Sequence, residues 1–132
     1  MLSHKKLDYL FKDLRELFQW VESNEDNSII AYAGGSHNYQ RNPKYLQENL
    51  LAKFCRDTCQ IPIDVDRKYI YIQKNKRRYK YYKLPDWSCV LLKLLDTAAG
   101  ERRREVTKET ASAFLDGIVF LQQSNLLAAF GY

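Results

Sequence analysis

At 132 residues, with 45% hydrophobic and 28% charged side chains, the chain has the length and balance of one globular domain and not those of a disordered protein. The net charge is +5, no run of the sequence approaches the ~18 apolar residues of a membrane span, and Met1 to Lys6 lacks the apolar stretch and cleavage site of a secretory signal. Three cysteines are too few, and odd in number, for a disulfide framework, so reduced thiols and a cytoplasmic location (nuclear in a eukaryote) are expected.

The first element is amphipathic. Ser3 can cap, and Leu7, Leu10, Phe11, Leu14, Leu17, Phe18 and Val21 follow at helical spacing, which predicts one core-packed helix from about residue 4 to about residue 22. Asn24 to Ser28 is a turn, Ile29 to Ala33 a short strand, and Gly34-Gly35 its stop. Ser36 to Arg41 reads as a loop, with Asn42-Pro43 as the cap and first turn of a second helix. That helix carries Tyr45, Leu46, Leu50, Phe54 and Cys55 inward and ends before Ile61-Pro62.

The period then changes. Lys68 to Gln73 and Arg78 to Leu84 are rich in β-branched and aromatic residues and flank a polar loop, Lys74 to Arg77, the pattern of an antiparallel hairpin. Asp86 is expected to cap a third helix, Trp87 to about Ala99, stopped by Gly100. Glu101 to Glu105, with three consecutive arginines, reads as a solvated connector. A fourth helix starts near Val106 or Thr107 and turns Thr110, Ala113, Phe114, Ile118 and Leu121 to the core; Ser124-Asn125 breaks it before an apolar tail, Leu126 to Phe130. The expected fold is mainly helical α+β, a single domain over residues 1–132, with about four helices around a small antiparallel element.

The hairpin is where charge concentrates. Residues 67–83 hold eight basic side chains and no acidic one, so the rest of the chain stands at −3. An acidic body with one positive element is the electrostatic footprint of a local binding surface. Alternation places Ile70 and Ile72 on one side of the hairpin and Tyr69 and Tyr71 on the other, beside the cations. Rings interleaved with Lys and Arg can stack bases and neutralise phosphates, and a hairpin can also enter a groove like the wing of a winged-helix domain. The residues expected to contact nucleic acid, DNA or RNA, are Arg67, Lys68, Tyr69, Tyr71, Lys74, Lys76, Arg77, Arg78, Tyr79, Lys80, Tyr81 and Lys83. The alternatives are an adaptor or inhibitor docking on an acidic protein, and a basic edge that serves only to prevent strand pairing.

Catalytic patterns are sparse, and a non-catalytic binding protein without cofactor or metal is expected. Cys55 and Cys59 share a helical face and could join Cys89 and His37 in a zinc site, but buried thiols explain them equally. Asp64, Asp66 and Lys68 echo half of a metal-dependent nuclease site, although turn formation is reason enough for those aspartates. Gly34-Gly35-Ser36-His37 lacks phosphate-loop spacing, and His4 and His37 have no nucleophile partner. If Val90 to Leu95 and Leu126 to Phe130 exceed what one core covers, a homodimer would bury the excess.

Overall fold

The computed structural model describes residues 4–35 and 43–130; the expected cap at Ser3, the loop from Ser36 to Arg41 with His37, and the cap at Asn42 lie outside them. The described chain is α+β, with six helices: α1 (His4–Phe11), α2 (Arg15–Glu22), α3 (Lys44–Glu48), α4 (Leu50–Cys59), α5 (Asp86–Ala99) and α6 (Lys108–Gln123). The strands are β1 (Ile29–Ala33), β2 (Ile63–Val65), β3 (Tyr69–Asn75), β4 (Arg78–Lys83) and β5 (Arg104–Thr107). Among the described residues, no helix is long and apolar enough to cross a membrane.

Six helices replace the expected four because the first two are each interrupted by a side chain that competes for backbone. Between α1 and α2, Asp13 Oδ1 accepts from the Arg15 amide at 2.8 Å, a local bond that a helix interior does not permit. Both halves still bury their apolar stripe, from Leu7 through Leu14 to Val21, while Phe18 is turned outward. The second helix is broken at Asn49, whose ψ of 163° takes it out of the helix. Its Oδ1 accepts from the Ala52 amide at 2.9 Å and caps α4. Its Nδ2 donates to the carbonyls of Tyr45 at 2.9 Å and Val65 at 2.6 Å. One buried amide thus ends α3, starts α4 and ties both to β2.

Two antiparallel sheets form, β1–β5 and β2–β3–β4. The end of the arginine-rich connector is therefore a strand: Tyr32 pairs with Glu105 and Ala33 with Arg104, and Thr107 caps α6 by accepting from the Thr110 amide at 3.2 Å. In the larger sheet, Ile63 pairs with Ile72 and Val65 with Ile70 on one side of β3; Ile70 pairs with Tyr82 and Tyr71 with Tyr81 on the other. The expected loop shortens to a turn at Lys76-Arg77, with Asn75 Oδ1 accepting from the Arg77 amide at 3.0 Å. The third strand supplies what a lone hairpin lacks for stability.

The core lies between the sheets and helices. Ile63, Val65, Ile70 and Ile72 face Leu50, Leu51 and Phe54 of α4, and α5 is central, burying Val90, Leu91, Leu92 and Leu95. Phe11 meets Phe54 edge-on, with centroids 5.8 Å apart. Asp86 is the first residue of α5, with Pro85 in the cap position, so the expected aspartate cap falls one residue late. α6 buries Ala111, Leu115, Ile118 and Leu121, whereas Thr110 and Ala113 are exposed and Phe114 half-buried; its stripe is rotated from the expected one and shares Ile118 and Leu121 with it. The tail forms a 3-10 turn, Leu127–Phe130, whose Leu127 and Phe130 pack against the core. The apolar run of α5 is thus covered within the domain, and Phe120 at 62% and Leu126 at 46% are the large exposed side chains at the C-terminal end.

Candidate functional site

The side of the β2–β3–β4 sheet facing away from the helices is built by strand alternation. Burial of Ile70 and Ile72 forces Tyr69, Tyr71 and Gln73 to the opposite side. The register places Lys83, Tyr81 and Tyr79 directly across from them. Three of the four rings are open to solvent: Tyr69 at 38%, Tyr79 at 46% and Tyr81 at 56%. Tyr71 stands half-buried between Tyr69, 6.3 Å away, and Tyr81, 5.1 Å away and nearly perpendicular at 79°. Its hydroxyl donates to the Asp66 carboxylate, and burial followed by that bond raises its pKa above that of an ordinary tyrosine. Gln73 joins this face and was not among the expected residues, although the same alternation points to it.

The cations surround the rings unevenly. Lys74, Lys76, Arg77 and Arg78 are exposed at the tip, and Lys83 lies beside Tyr69 at the far end. Lys80 is opposite Ile72 and so projects from the helix side of the sheet, as does Tyr82. Tyr82 packs on Phe11 and donates to Asp8 at 2.9 Å. Among the described residues no carboxylate pairs with Lys74, Lys76, Arg77, Arg78, Lys80 or Lys83.

Arg67 is placed differently from the rest of the expected set. Its Nε donates to Asp96 Oδ2 at 3.0 Å. The same oxygen accepts from the Tyr45 hydroxyl at 2.6 Å, and Oδ1 accepts from the Gly34 amide at 3.0 Å. Asp96 is 3% exposed, so α3, α5, the end of β1 and the start of β3 meet at one buried carboxylate. Gly34 must be glycine there: its φ is +88°, and a Cβ would come within 2.2 Å of the Arg102 carbonyl oxygen. Its amide therefore serves the fold and not a phosphate. Lys68 remains exposed beside this node.

The carboxylates considered for a nuclease are likewise engaged. Asp64 pairs with Arg56 at 3.0 Å. Asp66 Oδ1 accepts from the amides of Lys68 at 2.7 Å and Tyr69 at 2.6 Å, forming the turn into β3. The pair does not present two open carboxylates to a metal. Cys55 and Cys89 are buried and Cys59 half-buried; burial raises all three thiols, Cys89 to about 11. Among the described residues no three His, Cys, Asp or Glu side chains converge as metal ligands. Of the arginine run, Arg103 donates to Glu48 at 3.0 Å and lies 3.6 Å over the Tyr32 ring, and Arg104 donates to the Ala99 carbonyl at 3.0 Å. Those two brace β5 and do not extend the hairpin's surface.

Clefts flank the fold. One of about 500 Å³ is lined by Ile61, Pro62, Ile72 and Lys74 where β3 outruns β2. Another of about 510 Å³ lies around Trp20, Lys53 and Asp57, with the Trp20 indole donating to Asp57 at 2.6 Å. Neither is lined by a serine, threonine, cysteine or histidine. Comparison with protein-family models, with curated proteins and with solved structures gave no match to this chain.

Proposed function

We propose that this protein is a non-catalytic binding module that contacts nucleic acid through the tip and outer face of its three-stranded sheet. The observation that carries the reading is the group of four tip cations, Lys74, Lys76, Arg77 and Arg78, with Lys83 at the far end of the outer face, none with a carboxylate partner among the described residues. Uncompensated cations on a protruding element gain most from displacing the counterions of a phosphate backbone. The aspartates of β2 and the turn into β3, Asp64 and Asp66, are held by Arg56, by backbone amides and by Tyr71, which lessens their repulsion of a polyanion. Reduced thiols at Cys55, Cys59 and Cys89 suit a cytoplasmic or nuclear setting.

The test is fluorescence anisotropy with labelled single- and double-stranded DNA and RNA at low and physiological salt. The quadruple variant Lys74→Ala, Lys76→Ala, Arg77→Ala, Arg78→Ala is measured beside the native protein. Binding is expected to weaken with salt, and the variant to lose up to about 3.6 units of the log–log salt slope, at ~0.7–0.9 per phosphate contact. Equal binding by the variant removes the tip from the account. No binding to any of the four probes, with an acidic protein co-purifying through the same lysines and arginines, replaces nucleic acid by a protein partner.

A further inference from the structure

We propose that Tyr81, with Tyr79 beside it on the same face of β4, is a stacking platform for the bases of an unpaired polynucleotide strand. The inference rests on the nucleic-acid reading above and specifies the form of nucleic acid that the site takes. Charge alone does not choose between duplex and single strand, since both carry phosphates. The rings do. A duplex hides the faces of its bases inside the helix, whereas an unpaired strand offers them to any exposed aromatic plane.

Tyr79 and Tyr81 are adjacent on the same side of β4, across from Gln73 and Tyr71, and Tyr81 is the most exposed ring of the sheet. It is also held in place. Tyr71 meets it edge-on at 5.1 Å, and Tyr71 is itself fixed by its bond to Asp66, which the Lys68 and Tyr69 amides hold from the other oxygen. A ring fixed before binding loses little conformational freedom when a base stacks on it. Cations bracket the rings at both ends of the strands, Lys83 opposite Tyr69 and the tip group beyond Tyr79. A strand running along β4 therefore meets phosphate partners on either side of its stacked bases.

The experiment uses the full chain and four labelled probes of equal length: oligo-dT, oligo-U, a DNA duplex, and a deoxyribose-phosphate strand without bases. Tyr81→Ala and the double variant Tyr79→Ala/Tyr81→Ala are compared with Tyr81→Phe, each checked for folding by circular dichroism. Base stacking on one ring accounts for about 5- to 150-fold in affinity. Tyr81→Ala is accordingly expected to weaken binding at least about fivefold, and Tyr81→Phe to keep it within about twofold, since the ring and not the hydroxyl stacks. The abasic strand and the duplex are expected to bind more weakly than the unpaired strands, and the tighter of oligo-dT and oligo-U identifies the strand chemistry. Equal binding of the abasic strand, or no loss in the double variant, overturns the platform; if the tip variant still loses affinity, the nucleic-acid reading survives without it. No binding of any probe by the native protein ends both.

Discussion

Replacing Asp96 by alanine removes the acceptor shared by Arg67, Tyr45 and Gly34. Removing one partner of a buried ion pair costs ~3–5 kcal/mol, largely because the other charge is left unpaired. Here the penalty on Arg67 is smaller, since its side chain is 36% exposed. The Tyr45 hydroxyl and the Gly34 amide each lose a buried hydrogen bond to a charged group, a loss of ~1.5–3 kcal/mol. The expected loss is therefore about 3–4 kcal/mol, a large share of the ~5–15 kcal/mol that holds a domain together, and a Tm lower by about 10 °C. Urea denaturation followed by circular dichroism measures it, with Arg67→Ala and the double variant completing a cycle. The coupling between Asp96 and Arg67 is expected to be at least about 1 kcal/mol. A loss below about 1 kcal/mol for Asp96→Ala refutes the reasoning. The same series separates two roles for Arg67. Its replacement should lower stability while leaving nucleic-acid affinity, corrected for the folded fraction, nearly unchanged.

Asn49→Ala should cost about 2–4 kcal/mol by denaturant unfolding, from the lost cap of α4 and the lost side-chain bonds to the Val65 and Tyr45 carbonyls, the second of which keeps the residue-49 amide as a donor. Asn49→Asp keeps the cap acceptor but sets a carboxylate oxygen against the Tyr45 and Val65 carbonyls in place of the NH2, so it is expected to cost at least as much as alanine, and a smaller cost would make the cap the larger part of the effect. The alkaline limit of stability follows from groups that hold their protons more tightly in the fold, Cys55, Cys59, Cys89, Tyr71 and Tyr82 among them. Burial, then the Asp86 charge, pushes the Cys89 thiol up to about 11 from 9.0. Burial, then the bond to Asp8, pushes the Tyr82 phenol up to about 12 from 10.0. The unfolded chain releases these protons first as pH rises, so their contribution is complete below pH 9 and is lost across about pH 9–11 for Cys89 and pH 10–12 for Tyr82. Unfolding midpoints measured from pH 8 to pH 11 should fall, and Cys89→Ala should flatten the first part of that fall; a constant midpoint contradicts the assignment.

The elements that were legible in advance are those whose signal is local. The 3-4 spacing of Leu7 to Val21 located the apolar face shared by α1 and α2, and alternation through Tyr69 to Ile72 correctly divided the larger sheet into an isoleucine side and a tyrosine side. Gly100, with φ +79° at the end of α5, stops that helix where expected. The breaks at Asp13 and Asn49 were not legible. Each lies within an unbroken apolar stripe, and whether an Asn or Asp side chain points to solvent or captures a nearby amide depends on what packs around it.

The candidate site divides in the same way. Its charge and its aromatic face could be read from residues 67–84 alone, because composition and a period of two are properties of the chain. The different placement of Arg67 could not, since its partner Asp96 lies 29 positions away and only folding brings them together. The same holds for β5, whose Arg104–Thr107 run is too short and too charged to stand out as a strand beside the helix that follows it and becomes one by pairing with β1. Local sequence determined the helices, the hairpin and the concentration of charge, through spacings that act within a few residues. Tertiary structure decided which polar side chains serve the interior and which face solvent, because a buried donor or carboxylate must find partners wherever along the chain they occur.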